Sequence, residues 1–221
     1  MRKFILLFIA GLLAMAVFCQ PRPTGQDRTL HGMKLPPVSA YLDENDDTIT
    51  SAEFQETITR GYYEMQIKQK VNGTVDLRLT PKPFLGLLNS PFPDFEFKDI
   101  DGKTWNNQKI MGHVTVIHFW STASKPCLQE MGYLNAFKRA NPEIIWLAPA
   151  MESPEKIRSF LKTHIFDLSV IPGQRNLKQE MFVEGLPTDF ILDQDGTIVE
   201  IIVGKDTDRL QSFIDRYLSL D

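Results

Sequence analysis

Cysteine is scarce, with two among 221 residues at Cys19 and Cys127. The one intramolecular disulfide open to the chain is therefore a long-range link from its N-terminal tail. Basic residues are thin as well: 24 Lys and Arg against 28 Asp and Glu leave a net charge of −4. No Lys/Arg stripe interleaved with aromatics appears, so no nucleic-acid partner is expected. Long apolar runs are also missing. The longest, Phe4 to Phe18, falls short of the roughly 20 residues that a membrane-spanning helix needs. Repeats and low-complexity segments are absent from the pattern. With 43% hydrophobic residues, the chain can bury one full core and a small appended module, but not two large domains.

The beginning of the chain carries a recognisable address. Arg2-Lys3 ahead of the run Phe4–Phe18 has the charged start and short apolar centre of an export signal, assigned to residues 1–18. Ala14-Met15-Ala16 suits ordinary cleavage, whereas Ala16-Val17-Phe18-Cys19 resembles a lipoprotein box in which Phe18 is too large. Cys19 is thus either a lipidation site attaching the N-terminus to a membrane or an incidental residue at the signal's end. The expected location is the periplasm or cell envelope. Residues 19–37, with Pro21, Pro23, Gly25, Pro36 and Pro37, read as a tether.

Residues 38–85 read as a small α+β module. Thr50-Ser51-Ala52-Glu53 has the form of a capping box opening a helix to about Arg60. Alternating Tyr63, Met65, Ile67 and Val75, Leu77, Leu79 flank Asn72-Gly73, a two-residue hairpin signal. The acidic run Asp43 to Asp47, closed by Glu53, invites a calcium-loop reading, but the turn glycine is missing and the loop is one residue short. A solvated Asp/Asn turn is the better account.

Residues 86–221 alternate short apolar runs with amphipathic stretches, the pattern of an α/β domain with helices covering a sheet. Strands are expected at Phe95–Phe97, Val114–Trp120, Ile144–Ala148, Asp189–Leu192 and Ile198–Val203. Helices are expected from Pro126 to about Ala140, Pro154 to about His164, Arg175 to about Val183 and Asp206 to about Leu218. Asp101-Gly102 and Asp195-Gly196 mark hairpin turns. The strand ending at Trp120 feeds a helix opened by Pro126, with Cys127 in its first turn. Unpaired amides and the positive helix end favour a thiolate there.

The stretch Phe119-Trp120-Ser121-Thr122-Ala123-Ser124-Lys125-Pro126-Cys127-Leu128-Gln129-Glu130-Met131 resembles the active-site segment of the thioredoxin-like superfamily, in its exported TlpA or redoxin branch. Gly185-Leu186-Pro187-Thr188 followed by Phe190-Ile191-Leu192-Asp193 is similar to the family's cis-proline turn, and Pro93-Asp94-Phe95 with Asp101-Gly102-Lys103 to its entry hairpin. The resemblance implies a thioredoxin-like fold, a central mixed sheet flanked by helices. It also implies a cis bond at Leu186-Pro187, and a groove formed by Trp120, Pro126, Leu186 and Pro187 that receives a protein or peptide. The catalytic pair in such proteins is a first, attacking cysteine and a second, resolving one. Here Ser124 stands at the first position and Cys127 at the second, so ordinary dithiol exchange, which needs an attacking thiolate, is expected to be lost.

Each of these residues also has a plainer reading. Ser124 is a good helix N-cap, worth roughly 1 kcal/mol over alanine. Cys127 suits a small buried hydrophobe, since the helix end alone lowers its pKa by less than about one unit. His118, standing where thioredoxins carry a buried acid, is either a core strand residue or a partner for Cys127. His31, His113 and His164 show no ligand spacing with one another or with Cys127, so no metal or other cofactor is expected. An enzymatic alternative is a one-cysteine peroxidase, because Ser124-x-x-Cys127 also resembles the Thr-x-x-Cys element of peroxiredoxins. A purely structural envelope lipoprotein that docks through residues 38–85 is the third possibility.

Overall fold

Thr50 lies in extended backbone while its hydroxyl accepts from the Glu53 amide and Glu53 reaches back to the Thr50 amide, closing both halves of a capping box. That cap opens one element of a computed structural model that describes residues 29–30, 33–34 and 36–218. The expected signal segment, Cys19 and His31 lie outside the described residues. The described residues begin with a two-residue ladder, β1 (Thr29–Leu30) against β2 (Met33–Lys34), inside the stretch expected to be a tether. β3 (Val38–Leu42), β4 (Thr48–Ile49), α1 (Ser51–Thr59), β5 (Tyr63–Gln69) and β6 (Val75–Pro81) follow. Their sheet runs in the order β4-β3-β6-β5, with β3 parallel to β6. Phe54 of α1 packs with Val75, Leu77 and Leu79 in a small core of its own.

Two local details differ from the sequence expectation or refine it. Lys70 donates to the Thr74 carbonyl at 2.9 Å and Gly73 takes φ 79°. The β5–β6 loop is therefore three residues with glycine in the left-handed position, not a two-residue turn. In the acidic run, one Asp43 oxygen accepts from the amides of Asn45 and Asp47, both at 2.9 Å. Asp46 pairs with Arg78 at 2.9 Å, so this loop is an Asx turn anchored by an arginine.

A 3₁₀ turn at Pro83–Leu87 leads to β7 (Glu96–Lys98), β8 (Thr104–Asn106), α2 (Asn107–Ile110), β9 (Thr115–Phe119), α3 (Lys125–Ala140) and β10 (Ile145–Pro149). Then come α4 (Pro154–Leu161), β11 (Ser169–Ile171), α5 (Arg175–Glu180), β12 (Thr188–Leu192), β13 (Ile198–Val203) and α6 (Thr207–Leu218). The central sheet has the order β11-β10-β9-β12-β13, with β9, β10 and β11 parallel and β12 and β13 antiparallel. Alternation along the strands separates two cores. Val116, Trp120, Trp146 and Ile191 face α3, α4 and α6 on one side. Ile117, Phe119, Leu147 and Phe190 face α2, α5 and the 3₁₀ turn on the other. The fold is thioredoxin-like, a mixed sheet with helices on both faces.

Both outer strands of this sheet meet other backbone. Ile198 of β13 exchanges bonds with Asn89 (2.8 Å) and Ser90 (2.9 Å), and Val170 of β11 accepts from Ile100 at 2.8 Å. The turns are built as their sequence suggests. Asp99 accepts the amides of Asp101 and Lys103 and the indole of Trp105, and Asp193 accepts the amides of Asp195 and Thr197. The β8, β11 and α2 elements and the 3₁₀ turn carry too few residues to show a period, and the sequence alone does not reveal them.

Candidate functional site

α3 presents Cys127, Glu130, Met131, Leu134, Asn135 and Phe137 to the sheet, a 3.6-residue stripe. Ser124 is its N-cap residue, Pro126 sits in the first turn where its missing N–H costs nothing, and Cys127 follows. The loop entering this helix is tied down by a residue that sequence reasoning missed. One carboxylate oxygen of Glu152 accepts from the Ser121 hydroxyl (2.7 Å), the Thr122 amide (3.1 Å) and the Thr122 hydroxyl (2.9 Å).

The Ser124 hydroxyl does not cap its helix, which corrects the plainer sequence reading. It donates instead to the carbonyl of Leu186 at 3.1 Å, across the peptide bond that is cis between Leu186 and Pro187. That bond holds the hydroxyl toward the turn before β12, and its oxygen accepts no cap bond from the helix amides. Lys125 and Pro126 are exposed, Leu186 is half-buried and Pro187 is buried. Trp120, expected to line a substrate groove, is 0% exposed, and its indole donates to the Ala148 carbonyl at 3.2 Å. It packs beneath the site against Phe166 and Phe160 and cannot touch a partner.

Cys127 is 0% exposed. Burial raises its thiol pKa most, the contacts to Ser124 and Ser121 lower it, and the charges of Glu130 and Asp189 raise it again, for a net rise. An enclosed thiol held in its protonated form is ill suited to meet peroxide, which argues against the one-cysteine peroxidase alternative.

Beneath the sulfur lies a buried polar cluster. β9 carries His118 into the same layer as Val116 and Trp120, and its ring stands edge-on to Phe166 at 6.1 Å. β12 places Asp189 opposite it in the ladder, and Nδ1 of His118 lies 2.7 Å from the Asp189 carboxylate. Nε2 faces the Glu130 carboxyl at 3.7 Å, and neither of these two facing atoms has a hydrogen-bond partner among the described residues. Burial opposes a charge on His118, but the charge and hydrogen bond of Asp189, with the charge of Glu130, outweigh it and raise its pKa. Burial pushes Glu130 up to about 7, despite the lowering effect of His118. The structure thus gives His118 two carboxyl neighbours, and the groups acting on the sulfur are Ser124, Ser121, Glu130 and Asp189. No group of three His, Cys, Asp or Glu residues suited to a metal occurs among the described residues.

Comparison with known proteins agrees with this architecture. Residues 88–201 match the model of the AhpC/TSA family. A thiol-disulfide oxidoreductase ResA of Bacillus cereus is 31% identical over 131 residues, 56% of this chain and 75% of that protein. The thioredoxin-like protein YneN of Bacillus subtilis is 28% identical over 120 residues, 52% of this chain and 71% of that one. Among solved structures, StoA of Bacillus subtilis superposes with a TM-score of 0.50 at 21% identity, covering 57% of this chain and 98% of its own.

Proposed function

Starting from the premise that the chain belongs to the AhpC/TSA family of thioredoxin-like redoxins, we propose that it is an exported cell-envelope relative of the thiol-disulfide oxidoreductases that no longer performs dithiol exchange and binds polypeptide beside the Leu186-Pro187 turn. The single observation carrying this reading is the Ser124 hydroxyl bonded to the Leu186 carbonyl above a fully enclosed Cys127. Exchange begins when a thiolate attacks a disulfide sulfur. Ser124 has no sulfur to offer, and Cys127 offers one that is buried and protonated. What remains usable is surface: the exposed Lys125-Pro126 pair, the half-buried Leu186 and the backbone around them. Export rests on the Arg2-Lys3 and Phe4–Phe18 pattern.

The test is reduction of insulin disulfides with dithiothreitol as the terminal reductant. The wild-type chain is expected to add nothing to the dithiothreitol background, and Ser124→Cys to restore measurable turnover by closing a disulfide with Cys127. Its rate should stay below that of an intact family member, because Ala123 and Lys125 also shape the loop. Wild-type turnover above background would sink the proposal. Polypeptide binding is read separately, by NMR titration with an unfolded reduced and carboxymethylated protein. Shifts confined to residues 123–127 and 185–187 are expected, and their absence removes the docking half of the reading.

A further inference from the structure

At the opposite end of the sheet from Cys127, where β9 and β10 begin, lies a cavity of about 450 Å³. Lys103 of the β7–β8 hairpin, Lys109 of α2, Lys138 of α3 and His113 surround it, with Trp105 and Trp146 as aromatic walls and no acidic residue in its lining. This is a concentration of positive charge in a chain whose net charge is −4. None of the three lysines makes an ion pair within 4 Å among the described residues. Lys109 donates to the Thr104 carbonyl and Lys138 to the Asp167 carbonyl. Lys103 stands over the Trp105 ring at 3.7 Å. Each ammonium has three donors, so each retains capacity beyond these neutral acceptors. The nearby Asp167 carboxylate is engaged by Arg139.

A further observation points to a negatively charged ligand. Burial lowers the Lys138 pKa most, Asp167 raises it, and the neighbouring Lys103 lowers it further. A negative group placed between these two cations relieves their repulsion.

We infer that this cavity is a binding site for a small organic anion, a phosphate or carboxylate group carried on an apolar or aromatic body. The lysines and His113 take the charged head, and Trp105, Pro142 and Ile145 take the body. The volume falls within the range of about 300–1,000 Å³ typical of small-molecule sites. The inference is independent of any chemistry at Cys127.

Phenyl phosphate is a suitable probe, titrated into the full-length chain by calorimetry and by tryptophan fluorescence. Saturable binding is expected, with inorganic phosphate weaker and the neutral benzyl alcohol not bound. The double variant Lys103→Gln/Lys138→Gln should weaken phenyl phosphate by about tenfold or more, since hydrogen bonds to charged groups are worth about that much. Its thermal midpoint should stay near that of the wild type. Lys162→Gln, on an exposed lysine elsewhere, should bind like the wild type. A non-saturating response, equal binding by the double variant, or equal loss in Lys162→Gln would each overturn the inference.

Discussion

A hydroxyl has one proton to give, and at Ser124 the Leu186 carbonyl takes it. For the same hydroxyl to stabilise a thiolate at Cys127 it has to turn away from that carbonyl, so each ionisation of the sulfur breaks a bond to the proline turn. Two buried carboxyl groups below add to the cost. Native Cys127 is therefore expected to react with iodoacetamide at least about tenfold more slowly than free cysteine at neutral pH. Glu130→Gln should speed that reaction above pH 7, where the wild-type carboxyl is ionised. The same carboxyl sets a stability trend. Its pKa stands at about 7 in the fold against 4.5 ordinarily, so the folded state binds more protons between these values. Its contribution is complete below 4.5 and is lost as pH rises through about 7. The raised His118 acts in the same direction. Denaturation midpoints across this window should fall with rising pH, and Glu130→Gln should flatten the fall without abolishing it. An unchanged slope in that variant would count against the assignment.

Elements show where the sequence was readable and where it was not. The strand through His118, the helix at Cys127 and the Leu186-Pro187 turn are local patterns, so Ser124, Cys127 and His118 stand out from the sequence alone. Asp189 meets His118 from 71 residues away and Glu152 meets Ser121 from 31 residues away. Only the packing of β12 against β9 and the return of β10 bring them together. Trp120 illustrates the opposite error, since an aromatic beside an active-site motif is as well suited to the floor as to the groove, and burial decided for the floor. Glu152 is the residue that fixes the loop before α3. Glu152→Ala leaves three donors without their acceptor, and urea unfolding should show a loss of about 1–3 kcal/mol. Alkylation of Cys127 should speed up in the same variant as the loop loosens.

Across the whole molecule, a joint between the N-terminal module and the larger domain forms around Tyr62 and Arg209. Tyr62 donates to Glu200 and accepts from Arg209. Arg209 pairs with Glu200 at 3.0 Å and lies over the Tyr62 ring at 4.9 Å. Gly61, at φ 81°, passes so close that a Cβ there would stand 3.3 Å from that of Val203. Gly61→Ala therefore meets both a left-handed backbone and a crowded neighbour, at a cost of about 1 kcal/mol or more. Hydrogen exchange of the β6 amides should accelerate in Gly61→Ala and in Arg209→Ala, while β9 and β10 stay protected. Equal acceleration in both regions would mean that the joint carries global rather than local stability.

The backbone that meets the two outer strands of the central sheet has a consequence for solubility. An unpaired strand edge is a template on which another chain can add a strand and start an aggregate. β11 is three residues long and is met by Ile100. β13 is pinned at Ile198 by Asn89 and Ser90 and overlaid at Val203 by Gly61. A second molecule would have to strip one of these segments away before it could join the ladder, so the sheet beneath the cysteine is guarded against polymerising along its own edges.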